Sequence, residues 1–482
     1  MPGPRSLFRA LTIASLLFPP VAALAQARDV KQIYTQLCAG CHGANFQGGS
    51  APSLVSGQWK HGGDDASVTA SILQGRPEGG MPPFAGAISP GETRALVIYL
   101  REQAARTKPA PKPAAPAATD GTTASAAAKI FRVETVSDGV STPWSMTWLP
   151  DGRLLVTEKR GRLRIIENGR LLPEPVKGIP AVDSGGQGGL LDIALHPDYA
   201  KNGWIYLAFS DAKKDADGRN ISMTAIVRGR LDAGVWVDEE TIFRAPLDLY
   251  RPAGGPHFGC RIVFDGKDHV FFGIGERGEQ KHAQDRTRPN GKIHRLNDDG
   301  TVPADNPFLE VPGALPSLWT WGNRNPQGLA MDPRTGVLWE TEHGPRGGDE
   351  LNVIRRGANY GWPVITYGMN YNGTPITAIT AKEGMEQPVI HWTPSIAVCG
   401  INFYTGDVFP QWKGNLFVTA LAKEELRRVV IDGENVVSQE VILSKNGRLR
   451  HVAQGPDGFL YLAVNNPDKI VRLVPADAAK PE

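Results

Sequence analysis

The segment GPDGFLYLAV (residues 455–464) joins a Pro-Asp-Gly turn to a run of large apolar residues, a pattern typical of a turn followed by a short β-strand. The other copies of this pattern are LPDGRLLVTE from Leu149, YAKNGWIYLAFS from Tyr199, FDGKDHVFFGIG from Phe264, DPRTGVLWETE from Asp332 and WKGNLFVTAL from Trp412. Six copies, unequally spaced at about 60 residues on average, predict six blades of four strands, an all-β six-bladed propeller. A β-sandwich or barrel with ordinary hairpins is the alternative.

The chain is expected to divide into more than one domain, because 482 residues exceed what one compact core usually holds. Residues 108–128 read KPAPKPAAPAATDGTTASAAA and contain no large apolar side chain, so they are expected to form an extended linker. The predicted order is a signal peptide (1–25), a small all-α domain (27–104), a Pro/Ala-rich linker (105–128) and the propeller (129–476).

The N-terminal residues have the three parts of a secretory signal peptide: Arg5 and Arg9, an apolar run from Leu11 to Leu24, and small residues ending at Ala25. The predicted location is therefore the periplasm, with no membrane span in the mature chain. A retained N-terminal anchor is the alternative. Lys and Arg total 52 against 50 Asp and Glu, and a net charge of +2 disfavours nucleic-acid binding.

Cys38, Cys41 and His42 form the haem-attachment motif Cys-x-x-Cys-His, which predicts covalent haem c with His42 as one iron ligand. A zinc site is disfavoured because the sequence has no second Cys-x-x-Cys pair. Met81, in GGMPPF, is the predicted second ligand, and His61 is a rival. The capping-box spacing of Ser89-Pro90-Gly91-Glu92 predicts a closing helix. Residues 28 to 105 resemble class I cytochrome c.

Five segments of the larger domain carry a second resemblance. They are GGQGGLLDIALHPDY from Gly185, GGPHFGCRIVF from Gly254, WTWGNRNPQGLAMDP from Trp319, EHGPRGGDELNVIRRGANYGWP from Glu342 and NGRLRHVAQGPDG from Asn446. Residues 130 to 475 resemble the soluble quinoprotein sugar dehydrogenases, and most closely their aldose sugar dehydrogenase branch. The resemblance implies a six-bladed propeller that uses pyrroloquinoline quinone (PQQ) and calcium.

The resemblance also implies roles for individual residues. His257 matches the base that takes the proton of the sugar's anomeric hydroxyl, and Arg324 matches a residue that stabilises charge on the quinone. The remaining residues implied to contact PQQ are Gln187, Asn325, Lys423, Arg448 and Arg450. Lys423 is displaced from the family position, because the sequence reads Ala420-Leu421-Ala422-Lys423, and the contact is open for that reason.

The carbonyls of Gly344 and Pro345 match ligands of the calcium that binds PQQ, and Glu350 with the Tyr360 carbonyl match ligands of a structural calcium. A solvated acidic loop is the alternative reading of Glu350. Cys260 and Cys399 remain after the haem pair is assigned, and whether they form a disulfide is open.

The two resemblances, together with the predicted signal peptide, imply a periplasmic enzyme that oxidises aldoses at C1 to lactones and passes electrons from PQQ to its own haem. A downstream acceptor, a cytochrome or respiratory component, would then reoxidise the haem. Two alternatives stay open: a haem-bearing propeller that binds carbohydrate or a partner without turnover, and a PQQ dehydrogenase for a non-sugar alcohol or aldehyde.

Overall fold

The computed structural model describes residues 27–107 and 130–478, which form a small helical domain and a large domain of strands. The predicted signal peptide and residues 108–128 of the predicted linker lie outside the described residues. The helices are α1 (Val30–Leu37), α2 (Ala39–His42), α3 (Asp65–Gln74), α4 (Pro90–Thr107) and α5 (Tyr199–Asn202). The last helix of the small domain, α4, continues three residues past residue 104, the predicted end of that domain.

Local hydrogen bonds explain where these helices begin. The Asp29 carboxylate caps α1 by accepting from the backbone N–H groups of Lys31 and Gln32, at 2.9 and 3.0 Å. The predicted capping box of α4 is confirmed, because the Ser89 N–H donates to the Glu92 carboxylate at 2.9 Å and the Glu92 N–H donates to Ser89 Oγ at 3.3 Å.

The predicted six-bladed propeller is confirmed: within residues 130–478 the strands form six separate antiparallel sheets. Blade one contains β2 (Pro143–Trp148), β3 (Leu154–Glu158), β4 (Arg162–Glu167) and β5 (Arg170–Leu171). Blade two contains β6 (Leu190–Leu195), β7 (Ile205–Lys214), β8 (Asn220–Asp232) and β9 (Val235–Phe243), with the short β10 (Arg251–Pro252) added to β8. Blade three contains β11 (Ile262–Phe264), β12 (His269–Ile274), β13 (Lys292–Asn297) and β14 (Leu318–Trp321).

Blade four contains β15 (Pro326–Met331), β16 (Leu338–Glu342), β17 (Asp349–Ile354) and β18 (Ile390–Trp392). Blade five contains β19 (Val398–Phe403), β20 (Leu416–Ala420), β21 (Glu425–Asp432) and β22 (Asn435–Ser444). Blade six contains β23 (Arg448–Gln454), β24 (Leu460–Asn465) and β25 (Lys469–Pro475), with β1 (Phe131–Ser137) as its fourth strand. The sixth blade thus combines the two ends of the domain, since β1 pairs antiparallel with β25.

The hydrophobic core lies between neighbouring blades. Leu155 and Leu163 of blade one pack with Ile205 and Leu207 of blade two, and similar clusters join the other blades. The strands that begin each blade, β2, β6, β11, β15, β19 and β23, contact one another and are therefore nearest the propeller axis. Residues just before these inner strands consequently meet at one end of the propeller.

We expect Phe131→Ala to destabilise the ring closure. Phe131 is 7% exposed on β1, and its ring packs edge-to-face on Trp412 of blade five with centroids 5.7 Å apart. Removing the ring should lower the free energy of unfolding by about 3–5 kcal/mol, measured by denaturant titration of the propeller signal. Val437→Ala is the control, because Val437 is 65% exposed and its truncation should change stability by less than about 0.5 kcal/mol. Equal effects for both variants would contradict this role of β1.

Candidate active site and haem site

The sequence-predicted base, His257, is held by a carboxylate that the sequence did not reveal. His257 precedes β11, and its Nδ1 lies 2.7 Å from Oε1 of Glu276, which is 1% exposed. Because an ionised carboxylate only accepts hydrogen bonds, Nδ1 carries the hydrogen and Nε2 is left free to accept a proton. Burial, and after it the charge of Arg324, lowers the pKa of His257, so the ring is neutral at pH 7.

The loop that carries His257 is positioned by close contact between two glycine-rich segments. The Gln187 side-chain oxygen accepts from the His257 N–H at 2.9 Å, and the Gln187 N–H donates to the Gly255 carbonyl at 3.2 Å. A Cβ on Gly186 would lie 1.9 Å from the Gly254 carbonyl oxygen, so this approach requires glycine. The structure therefore places Gln187 beside His257, and its contact with PQQ stays a prediction.

Arg324 and Asn325, just before β15, extend the site toward blade four. Arg324 Nη1 donates to the carbonyls of His343 and Gly344, each at 2.8 Å, and its guanidinium lies 5.1 Å from the centre of the Trp362 indole. The Asn325 side-chain oxygen accepts from the Gly259 N–H at 3.2 Å, which fixes it against the strand that follows His257.

Positively charged side chains from several blades converge on the site. Arg450 follows Arg448 at the start of β23, where a β-bulge lies between Leu449 and His451. Arg450 Nη1 donates to the Gln327 side-chain oxygen at 3.1 Å, a neutral partner. Lys159 Nζ donates to the carbonyls of Ser184 and Gly186 at 3.1 and 2.9 Å. Burial, followed by the charge of Arg450, lowers the pKa of Lys159.

Lys423 lies in the exposed turn between β20 and β21. Its neighbour Glu424 interacts with the Arg448 guanidinium, so this turn approaches the same end of the propeller. Its role in PQQ binding stays a prediction.

Two residues near this site were missed by the sequence analysis besides Glu276. His343 immediately precedes Gly344, and burial, followed by the charges of Arg450 and Arg324, lowers its pKa well below the ordinary value. Lys159 is the second. His343 lies in the segment that begins at Glu342, but nothing in that segment marks it as an active-site residue, and Lys159 lies in none of the five segments. Only folding places both beside the arginines.

Cys260 and Cys399 are both free thiols, and both are fully buried. In this structure the two thiols are not joined by a disulfide. Arg450 Nη1 lies 3.4 Å from the Cys399 sulfur, so this thiol lies beside the positively charged side chains of the site.

The predicted calcium residues surround a tight turn and a small cavity. A Cβ on Gly344 would lie 2.2 Å from the Gly348 carbonyl oxygen, so the turn between β16 and β17 closes on itself. A cavity of about 10 Å³, lined by Glu342, Gly344, Glu350 and Tyr360 among others, lies next to this turn. That volume suits one water molecule or one small ion.

Buried carboxylates give this cavity its chemistry. Glu342 and Glu350 face each other across β16 and β17, and burial raises the pKa of Glu342 to about 7 and that of Glu350 well above its ordinary value. One carboxylate oxygen of Glu340 has no hydrogen-bond partner among the described residues. Over that same part of the chain, no three or more His, Cys, Asp or Glu side chains have metal-holding geometry. A calcium here would therefore depend on backbone carbonyls as well as carboxylates.

The helical domain contains the predicted haem residues. His42 Nδ1 lies 2.8 Å from the Pro52 carbonyl oxygen, so Nδ1 carries the hydrogen and Nε2 is available to iron. Met81 and Cys38 lie at the margin of the domain's apolar core with Trp59. His61 is exposed, which favours Met81 as the second ligand.

Comparison with known proteins identifies both domains. The family described as Glucose / Sorbosone dehydrogenase matches residues 140–472. The chain belongs to this family. The family described as Cytochrome C oxidase, cbb3-type, subunit III matches residues 25–100, so the helical region is a cytochrome c domain. The predicted resemblance to the quinoprotein sugar dehydrogenases is confirmed.

Individual relatives agree with this membership of the glucose/sorbosone dehydrogenase family. Aldose sugar dehydrogenase YliI of Escherichia coli (strain K12) is 42% identical over 343 residues, which cover 70% of this chain and 91% of the relative. The apo structure of the soluble aldose sugar dehydrogenase from Escherichia coli superposes with a TM-score of 0.67 at 39% identity, covering 72% of this chain and 99% of that one. The PQQ-bound aldose sugar dehydrogenase of Streptomyces coelicolor gives 0.58 at 30% identity, covering 72% and 98%.

We expect Met81→Ala to leave haem covalently attached while lowering its reduction potential, because the thioether ligand favours ferrous iron. Visible spectra and a redox titration measure both properties. His61→Ala is the control and should change neither. A reduction potential that changes in His61→Ala and not in Met81→Ala would make His61 the second iron ligand.

Glu276→Gln should lower kcat for aldose oxidation by about 10- to 100-fold, because the amide oxygen still orients Nδ1–H but no longer stabilises the charged imidazole. Glu276 raises the pKa of His257, so its loss should lower that pKa and move the acid limb of the kcat profile to lower pH. Activity against pH with an artificial dye measures this. A variant with unchanged kcat and an unmoved acid limb would contradict the pairing.

Proposed function

We propose that this protein is a periplasmic, PQQ-dependent aldose dehydrogenase that oxidises sugars at C1 to lactones and passes the electrons to its own haem c. The observation that carries the proposal is the His257–Glu276 pair beside a group of cations with neutral partners. An oriented, neutral imidazole suits proton removal from a hydroxyl, and cations that donate hydrogen bonds to neutral groups suit a polyanionic cofactor.

The residues fit PQQ and calcium. PQQ is a planar tricarboxylate, and Arg448, Arg450 and Lys159 would hold its carboxylates while Arg324 and Asn325 contact the quinone. The Gly344 and Pro345 carbonyls would hold the calcium that binds PQQ, and Glu350 with the Tyr360 carbonyl a second calcium, whose charge would offset the burial of Glu342 and Glu350. Bound PQQ would supply a quinone able to take up hydride from C1 and to give up the two electrons one at a time.

The chain's own groups carry out the acid–base part of the reaction. His257 Nε2 accepts the proton of the C1 hydroxyl, and the Glu276 carboxylate stabilises the resulting imidazolium through the hydrogen bond at Nδ1. Gln187 holds the His257 backbone in place. The Arg324 guanidinium would stabilise the negative charge that develops on the hydride acceptor, and its hydrogen bonds to two carbonyls fix its orientation.

The haem c of the N-terminal domain would be bound by Cys38 and Cys41, with iron ligands His42 and Met81. It takes one electron at a time, so a one-electron acceptor outside the chain must reoxidise it between transfers. The predicted leader supports export. Among the helices that the structure describes, none combines the length and apolar character that a bilayer span requires.

The test is reconstitution of the purified chain with PQQ and Ca²⁺, followed by addition of aldoses. Haem absorbance should report reduction, and an artificial dye should report sugar oxidation, with the lactone as product. His257→Ala should retain PQQ, measured by cofactor absorbance after desalting, yet lose at least about 100-fold in turnover. PQQ binding without turnover by the unmodified chain would instead favour a binding protein, and turnover of simple alcohols or aldehydes only would favour a non-sugar substrate.

A further inference from the structure

One face of α4 is buried against the propeller instead of against its own domain. Ala95 and Ile98 of α4, together with Val30, pack on Met369, which lies in the long connection between β17 and β18. Met369 is 0% exposed and Ile98 is 2% exposed. The core of the cytochrome domain is a different cluster, which includes Leu96. Ile98 is therefore buried by the contact between the domains.

An ion pair borders this apolar contact. Arg346 Nε lies 2.9 and 3.0 Å from the two carboxylate oxygens of Glu102, and its Nη2 lies 2.7 Å from one of them. The Glu102 side chain is 10% exposed and that of Arg346 is 23% exposed. A bidentate pair that is largely shielded from water holds a fixed geometry better than an exposed pair does. A backbone hydrogen bond of 3.1 Å from Val30 to Gly373 adds a third point of contact.

The contact lies on the turn that also borders the candidate active site. Arg346 follows the Gly344 carbonyl by two residues, and its backbone pairs with that of Met369 through hydrogen bonds of 3.0 and 3.1 Å. Arg324 donates to the Gly344 carbonyl from the active-site side. The turn Gly344–Gly348 thus has the active-site arginine on one side and the cytochrome domain on the other.

A continuous series of packed groups leads from this turn to the haem motif. The Arg346 guanidinium lies 5.6 Å from the centre of the Tyr99 ring, and Tyr99 packs edge-to-face on Phe46 with centroids 5.5 Å apart. Phe46 packs on Tyr34 at 4.0 Å, and the Tyr34 hydroxyl donates to the carbonyl of Gly43, the residue after His42, at 2.6 Å. The docked face of the cytochrome domain is therefore connected to its haem-binding helix.

We propose that the propeller has a built-in docking site for its own cytochrome domain, and that electrons pass to haem in this docked arrangement. The docking site comprises Arg346, Met369 and Gly373, and it binds Glu102, Ile98 and Val30. Each transfer moves one electron from the reduced cofactor to ferric haem and gives ferrous haem. Two such transfers, with release of two protons to water, return the cofactor to its oxidised form. An external one-electron acceptor, such as ferricyanide or a soluble c-type cytochrome, then restores ferric haem. The electron-transfer part rests on the proposed function, whereas the docking does not.

A disulfide tests the docking without any assay of activity. A Cβ built on Gly91 lies 3.2 Å from the Pro375 Cβ, close to the separation that a disulfide requires. The Gly91→Cys, Pro375→Cys variant should form a disulfide between the domains in most molecules. Mass spectrometry after proteolysis should detect the two cysteine-containing peptides joined to each other. The control pairs Gly91→Cys with Val437→Cys, an exposed position on blade five. Equal cross-linking of the two pairs would overturn the proposal.

Charge reversal tests the ion pair. Glu102→Arg should slow cross-linking by at least about tenfold, and adding Arg346→Glu should restore much of it, because the reversed pair has the same partners. Asp65→Asn is the control, because it removes an Arg–carboxylate pair made with Arg101, the neighbour of Glu102 on α4, inside the cytochrome domain. An unchanged rate in Glu102→Arg, or a loss of the same size in Asp65→Asn, would overturn the assignment of this pair.

Electron transfer is tested in the cross-linked chain loaded with PQQ, Ca²⁺ and haem. Sugar should reduce the haem as fast in the cross-linked form as in the same variant after mild reduction of the disulfide. Sugar oxidation with a dye should be equal in both. Loss of haem reduction with retained dye activity would overturn the proposal that the docked arrangement transfers electrons, while loss of both would indicate failure of the proposed function.

Discussion

The pairing of β1 with β25 is the constraint on which the rest of the propeller depends. Each blade covers its apolar faces with its neighbours, so the ring has no exposed end only when the sixth sheet is complete. The first strand of the domain supplies the missing fourth strand of the last blade, which ties the two chain ends together. Closure fixes the directions of the inner strands, and those directions bring the segments before β6, β11, β15 and β23 to one end of the axis.

This convergence produces the electrostatic character of the site. His257 is neutral although it lies beside Glu276, because burial and Arg324 outweigh the carboxylate. Arg324, Arg450 and Lys159 donate to carbonyl or amide oxygens, which orient these cations without neutralising them. A site of this kind binds anions strongly because little water screens its charges. It also keeps a base unprotonated near neutral pH.

The sequence was sufficient to predict the propeller, because six repeats of a turn and a strand are a local pattern. It was sufficient for the haem motif and the Ser89–Glu92 capping box for the same reason. Glu276 and Lys159 could not be recognised, since their significance comes from neighbours on other strands. The expected linker indicated two separate domains, but the contact of α4 with Met369 depends on surface complementarity that no local pattern encodes. The roles of Lys423 and of the calcium residues stay predictions.

The position of Arg346 has a thermodynamic consequence. The turn Gly344–Gly348 carries Arg324 on one side and, through Arg346, the cytochrome domain on the other. If ligand binding at the inner side orders this turn, the ordering favours docking at the outer side, and docking must strengthen ligand binding by the same factor. Cofactor loading and domain association are then two linked equilibria of one short segment. A chain that has captured its cofactor would in this way also favour the arrangement in which its electron acceptor is nearest.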